Sequence, residues 1–238
     1  IGIANSKKII YDIKGIDLDN YNIMDGSEYT MYNVIDDFVD LKVFNKVFVD
    51  CTSSENIYPH YLKLLDNNIS VVTPNKKANT TDYSLFEKLK TYQNYRFETT
   101  VGAGLPIVDT IRNLINNGDK ITKVEAILSG TMSYIFNTFS ETDDSFLDVV
   151  KKAQELGYTE PNPKDDLNGM DVVRKILIIA RLSGLKLEMT DVSNDIFLSE
   201  DCIESKTTED FFKNLEAYQE NINKLKEEAS KKNKVIKH

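Results

Sequence analysis

Apolar positions along this chain follow two alternating rhythms. Short β-branched runs at 46–50 and 69–73 read as strands, and each is followed by a stretch with helical spacing, at 58–67 and 83–92. Strands that alternate with helices build a parallel α/β sheet. Residues 1–4 are also strand-like, and 121–128 alternates as a half-buried strand does. Helical spacing returns near 34–38, at 107–114 behind Pro106, at 145–156 ahead of Gly157, and at 208–218 continuing through 221–229. Val235 and Ile236 would open a last strand.

The segment 170–182 is apolar nearly all round, the mark of a buried helix. Asp165, Asp166 and Asn168 offer N-cap oxygens before it, and Gly184 offers a stop after it. Only Arg174 and Arg181 mark a side that would face water. At about 100° per residue, Asp171 and Lys175 share one stripe with Ile178 and Leu182. Two charges one turn apart in an interior must pair, because each costs several kcal/mol to desolvate. Spacing alone leaves open a structural ion pair and a catalytic one, since perturbed titratable groups concentrate at active sites. Glu160 closes the loop that delivers this helix. Glu160, Asp171 and Lys175 together suit a small substrate with an amino group and a carbonyl.

Composition narrows the class. The 238 residues hold one large domain or two small ones, and 41% hydrophobic content supports a core. A net charge of −9 argues against nucleic acid as a partner. No apolar run reaches the length of about 20 residues that spans a bilayer, so no membrane role is expected. Cys51 and Cys202 offer neither a disulfide framework nor metal-site spacing, which fits a reducing cytoplasmic setting.

Three loops carry further candidate chemistry. The strand at 46–50 runs into Cys51-Thr-Ser-Ser54, at the place where doubly wound folds bind ligands. The same Ser/Thr run would serve equally as a helix cap. The strand at 69–73 runs into Pro74-Asn-Lys-Lys77, whose lysines either point into an active-site crevice or are simply solvated. In Arg96-Phe-Glu-Thr-Thr-Val-Gly-Ala-Gly-Leu-Pro106, Gly102 and Gly104 allow a bend of exposed carbonyls that suits a hard cation, or a tight strand-to-helix turn. Asn5-Ser6-Lys7-Lys8 replaces the acidic residue that would hold the ribose of NAD, and its donors and charge would suit the extra phosphate of NADP; a solvated polar turn accounts for it as well.

The segment Gly157-Tyr-Thr-Glu-Pro-Asn-Pro-Lys-Asp-Asp-Leu-Asn-Gly-Met-Asp-Val-Val-Arg-Lys175 resembles the signature of homoserine dehydrogenases. The Asp-Cys-Thr-Ser loop, Pro-Asn-Lys-Lys, Glu-x-x-Val-Gly-Ala-Gly-Leu-Pro and Ser129-Gly-Thr-Met-Ser-Tyr-Ile-Phe136 resemble it too. The resemblance implies an incomplete Rossmann-type nucleotide-binding domain over 1–126, with residues 1–4 as its second strand. An α/β substrate and dimerisation domain would follow over 127–238. The sequence has no G-x-G-x-x-G, so the chain is expected to lack both ends of the family's fold. The implied reaction is NADPH-dependent reduction of L-aspartate 4-semialdehyde to L-homoserine, on the route to threonine and methionine, by a homodimer.

The resemblance also implies roles. Lys175 would donate the proton, Asp171 would position it and touch the substrate, and Lys76 would assist at the oxygen or carboxylate end. Glu160 would hold the substrate ammonium. Thr52, Lys76, Gly157, Ser6 and Lys7 would contact the cofactor, NADP(H) in preference to NAD(H). Backbone oxygens of Glu98, Val101, Ala103 and Leu105 would hold a structural sodium ion. Tyr134 and Phe136 read as core. His60 and His238 receive no role. Two other readings compete: a non-catalytic binding or dimerisation module, and aspartate semialdehyde dehydrogenase chemistry at Cys51. The latter needs a basic partner for the thiol, and no His motif adjoins Cys51.

Overall fold

The structure, a computed structural model, describes residues 1–236; Lys237 and His238 lie outside the described residues. The chain divides into two compact units. The first comprises Ile1–Ala78 and Ser84–Phe97, the second Asn79–Tyr83 and the chain from Glu98 onward.

The first unit carries two small sheets. Strands β1 (Gly2–Ala4), β2 (Lys8–Tyr11) and β3 (Ser27–Glu28) form an antiparallel sheet in that order, with Ile3 opposite Ile10 and Ile9 opposite Ser27. Residues 1–4 are therefore half of a hairpin and not a strand of the parallel sheet. The connection suits a hairpin: only Asn5, Ser6 and Lys7 separate β1 from β2, and a parallel pairing of these two would need a crossover of a dozen or more residues. Helix α1 (Met31–Asp40) starts at Thr30, whose hydroxyl accepts from the Asn33 amide.

The parallel sheet follows. Strand β4 (Val47–Val49) leads through a turn at Tyr58–His60 into helix α2 (Tyr61–Asp66) and then to β5 (Ser70–Val72). Helices α3 (Lys77–Thr80) and α4 (Tyr83–Leu89) lead to β6 (Tyr95–Arg96). The order is β4-β5-β6, with Phe48 opposite Val71 and Val71 opposite Tyr95. The alternation read at 46–92 thus gives the expected α/β sheet. Tyr61, Leu64, Ile69, Val71, Phe86 and Tyr95 are fully buried around it, each burial contributing about 1.5–3 kcal/mol. Lys46 donates to the carbonyls of Phe38, Val39 and Leu41, satisfying the end of α1.

The second unit is helical among the described residues: α5 (Ile107–Asn116), α6 (Gly130–Glu141), α7 (Phe146–Glu155), α8 (Lys164–Leu167), α9 (Met170–Leu182), α10 (Glu200–Glu204) and α11 (Thr208–Lys231). Hydroxyls of Ser129, Ser145, Ser199 and Thr207 cap α6, α7, α10 and α11. The core joins Ile135, Phe136 and Phe139 of α6 to Phe146 and Val150 of α7 and to Phe211, Leu215 and Ile222 of α11. Residues 121–128, expected as a strand, form none among the described residues. Their alternation satisfies a side-chain rule, whereas a strand also needs a neighbour for its backbone. Val235 and Ile236 likewise enter no sheet.

Candidate active site

Helix α9 is delivered by two left-handed glycines. At the end of α7, Gly157 (φ 73°) donates to the Gln154 carbonyl and Tyr158 donates to that of Ala153. Those two bonds close the helix in a Schellman motif. Gly169 (φ 74°) then precedes Met170, whose amide donates to the Asn168 side chain. None of the three predicted capping residues is the N-cap of α9, which is Gly169: Asn168, one residue earlier, closes α8 while its side chain accepts from Met170, and Asp165 and Asp166 fall inside α8.

Asp171 and Lys175 do meet. Lys175 Nζ lies 2.6 Å from Asp171 Oδ2 and donates to the Leu128 carbonyl at 2.7 Å. The Lys175 side chain is 19% exposed and that of Asp171 45%, so the pair lies at the rim of the interior and not within it. This corrects the interior position expected from the apolar stripe. The two contacts use part of an ammonium that carries three donors.

Glu160 is exposed, and its amide donates to Asp166 Oδ2 at 2.8 Å. The adjoining Tyr158 carbonyl accepts from Thr131 Oγ1 at 2.6 Å, and the Tyr158 ring packs edge-on to Tyr134 at 4.8 Å. The segment entering α6 therefore meets both parts of the candidate site: the Leu128 carbonyl accepts from Lys175, and Thr131 donates to the loop that carries Glu160. Burial pushes the Asp166 carboxyl above its ordinary value, against the opposing effect of bonds to the Glu160 amide and Thr131. Sequence reading took Asp166 only as a helix cap; a carboxylate six residues from Glu160 in a proline-rich loop was the available signal.

Arg181 reverses an expectation. It is fully buried, not solvent-facing. Its guanidinium donates to the carbonyls of Asn79 and Leu187 and to Glu188 Oε2 at 2.8–2.9 Å, and lies over the Tyr83 ring. Arg174 donates to Thr80 Oγ1 at 2.9 Å. Both arginines of α9 thus bind the segment Asn79–Tyr83, which the helical periodicity alone could not foretell.

In Glu98, both carboxylate oxygens accept from the first amides of α5, those of Val108 and Asp109, at 2.8 Å. Its backbone oxygen accepts from the Val101 amide at 3.4 Å. Gly102 (φ 81°) and Ala103 (φ 51°) turn the chain sharply between Val101, which is buried, and Leu105, which is 62% exposed. Such a bend fits main-chain ligation of a hard cation.

In the first unit, Thr52 and the half-buried Lys76 occupy the loops after β4 and β5, the carboxyl ends of adjacent parallel strands. Ser6 and Lys7 are exposed on the β1–β2 bend.

Comparison with known proteins agrees with this architecture. A sequence model of the family described as homoserine dehydrogenase matches residues 106–238, and one described as homoserine dehydrogenase, NAD binding domain, matches residues 19–96. The chain belongs to the homoserine dehydrogenase family. This is a family of NAD(P)-dependent oxidoreductases, and that assignment favours the dehydrogenase reading over a bare binding module. The homoserine dehydrogenase of Saccharomyces cerevisiae is 44% identical over 80% of this chain and 55% of its own length. The chloroplastic bifunctional aspartokinase/homoserine dehydrogenase 2 of Zea mays is 40% identical over all of this chain and 27% of its own length. The chain thus spans about a quarter to a half of these relatives. A crystal structure of a Candida auris protein of unknown function superposes with a TM-score of 0.85 at 35% identity, covering 98% of this chain and 68% of that one. A hyperthermophilic archaeal homoserine dehydrogenase in complex with NADPH gives 0.56 at 27% identity, covering 66% of this chain and 48% of that one. Among the described residues no helix is long and apolar enough to cross a membrane.

Proposed function

We propose that the protein containing this chain reduces L-aspartate 4-semialdehyde to L-homoserine with NADPH, in the biosynthesis of threonine and methionine. The observation that carries this reading is Lys175. Its side chain is half-buried and its ammonium is oriented by Asp171 and the Leu128 carbonyl, on a helix within the span matched to the family.

When bound, NADPH supplies the hydride. As the aldehyde carbon accepts it, the carbonyl oxygen gains negative charge, and Lys175 Nζ donates a proton to that oxygen. The products are the alcohol and the neutral lysine amine, which solvent reprotonates. Asp171 keeps Nζ aimed and remains exposed enough to meet a polar group of the substrate. Glu160 holds the substrate ammonium, and Lys76 serves the oxygen or carboxylate end. Thr52, Lys76 and Gly157 contact the cofactor. Ser6 and Lys7, on their exposed bend, would supply donors and charge to an adenosine phosphate and so favour NADP(H). A sodium ion held by main-chain oxygens of Glu98, Val101, Ala103 and Leu105 would fix the turn before α5. The protein would work as a homodimer; its two free cysteines, Cys51 and Cys202, accord with the reducing cytoplasm.

The test is NADPH oxidation with aspartate semialdehyde, comparing wild type with Lys175→Met, which keeps the apolar stem. Turnover is expected to fall by about 10²- to 10⁴-fold, the range of a lost general acid. The thermal midpoint should barely move, since an ion pair this exposed is worth about 0–1 kcal/mol. Near-normal turnover would remove Lys175 from the mechanism.

A further inference from the structure

Asp50 directly follows β4 and is 2% exposed. One carboxylate oxygen, Oδ1, accepts from the Thr52 amide at 2.8 Å. The other, Oδ2, accepts from the Tyr61 hydroxyl at 2.5 Å and from the Asn75 amide group at 3.2 Å. Asn75, itself 3% exposed, also donates to the Ser54 carbonyl at 2.9 Å, and its side-chain oxygen accepts from the Lys77 amide at 3.0 Å. Thr73 Oγ1 donates to the Asp50 carbonyl and accepts from the Asn75 amide. Burial, reinforced by the Asp50 bond, pushes the Tyr61 phenol far above its ordinary value, so it remains a donor.

Each oxygen thus governs a different loop. Oδ1 shapes the loop after β4, which presents Thr52. Oδ2, through Asn75, holds the loop after β5, which presents Lys76. A buried carboxylate can accept about four bonds, and an amide cannot reproduce that pattern, because half of it donates. A structural role would need only enough donors to satisfy the charge. Here the donors come from two separate loops and from the helix between them.

We infer that Asp50 is a positioning residue that couples the two nucleotide-facing loops, setting Thr52 and Lys76 in one fixed relation. The coupling stands on the contacts above; its consequence for nucleotide binding rests on the reading that Thr52 and Lys76 contact the cofactor. Asn75→Ala in the full chain removes the Asn75 bonds to Asp50 Oδ2 and to the Ser54 carbonyl while leaving Asp50 its bonds to Thr52 and Tyr61. Hydrogen exchange, read without any nucleotide, should then quicken at the amide of Thr52, which is held by Asp50 Oδ1 and is not a hydrogen-bond partner of Asn75. Unchanged exchange there would overturn the coupling, whatever the protein catalyses.

Asp50→Asn supplies the second measurement. One orientation of the new amide keeps Thr52 and sets a donor against that of Asn75; the other keeps Asn75 and loses Thr52. NADPH affinity, measured by titration well below the thermal midpoint, should weaken about tenfold, the scale of one buried polar group left unsatisfied. KM for NADPH should rise more than kcat falls. A lower melting temperature with unchanged affinity would overturn the positioning role and leave Asp50 merely structural. If wild type binds no NADPH while the exchange result holds, the cofactor reading fails and the coupling survives.

Discussion

Replacing Arg181 by Met isolates what the second unit gains from a charge placed where periodicity predicted solvent. Met keeps an apolar stem of similar reach and removes every donor. The carbonyls of Asn79 and Leu187 then lose charge-assisted bonds of 2.9 Å or shorter, and an acceptor left unsatisfied in the interior costs about 1–3 kcal/mol. Glu188 loses its partner as well, but its side chain is 49% exposed and still accepts from the Tyr83 amide, so water takes over much of its charge. Offsetting these losses, the guanidinium no longer has to be desolvated, a burden visible in the downward shift of its pKa by burial. Removing one partner of a fully buried pair costs about 3–5 kcal/mol, and the half-exposed carboxylate puts this case at the lower end, about 3 kcal/mol. For a chain of this size that is a fall of about 6–12 °C in melting temperature, measurable by calorimetry or circular dichroism. The double variant with Glu188→Gln should cost less than the sum of the singles, because the two share one interaction. A shift under about 2 °C for Arg181→Met, or strict additivity, would refute the account of Arg181 as an anchor for residues 79–83.

Other outcomes follow from single residues. Gly169→Ala forces a β-carbon at φ 74° and 2.7 Å from Asn194 Oδ1; left-handed backbone alone costs about 1–2 kcal/mol, so the urea midpoint should fall, with Asn194→Ala recovering only the steric part. Asp166 has a folded pKa raised above its ordinary 3.8. Its contribution to stability is therefore full below the unfolded pKa and lost as pH rises through the folded one. Asp166→Asn should remove the loss of stability that sets in as pH rises through the folded Asp166 pKa, and an unchanged profile would contradict the burial argument.

The sequence by itself determined the elements whose signals are local. The glycine stops at 157 and 184, the buried helix 170–182 and the alternation at 46–92 need only neighbouring residues to be read. It also placed Asp171 one turn from Lys175, since helical geometry fixes that pair before any packing occurs. Tertiary structure decided what depends on a distant partner. Residues 1–4 found an adjacent strand in a hairpin, and 121–128 found none, because backbone pairing is not encoded in side-chain alternation. Arg181 became interior because carbonyls from residues 79 and 187 converge on it. Asp50 drew one donor from Thr52, two residues on, and the others from Tyr61 and Asn75; the parallel register of β4 and β5 sets Asn75 beside that carboxylate.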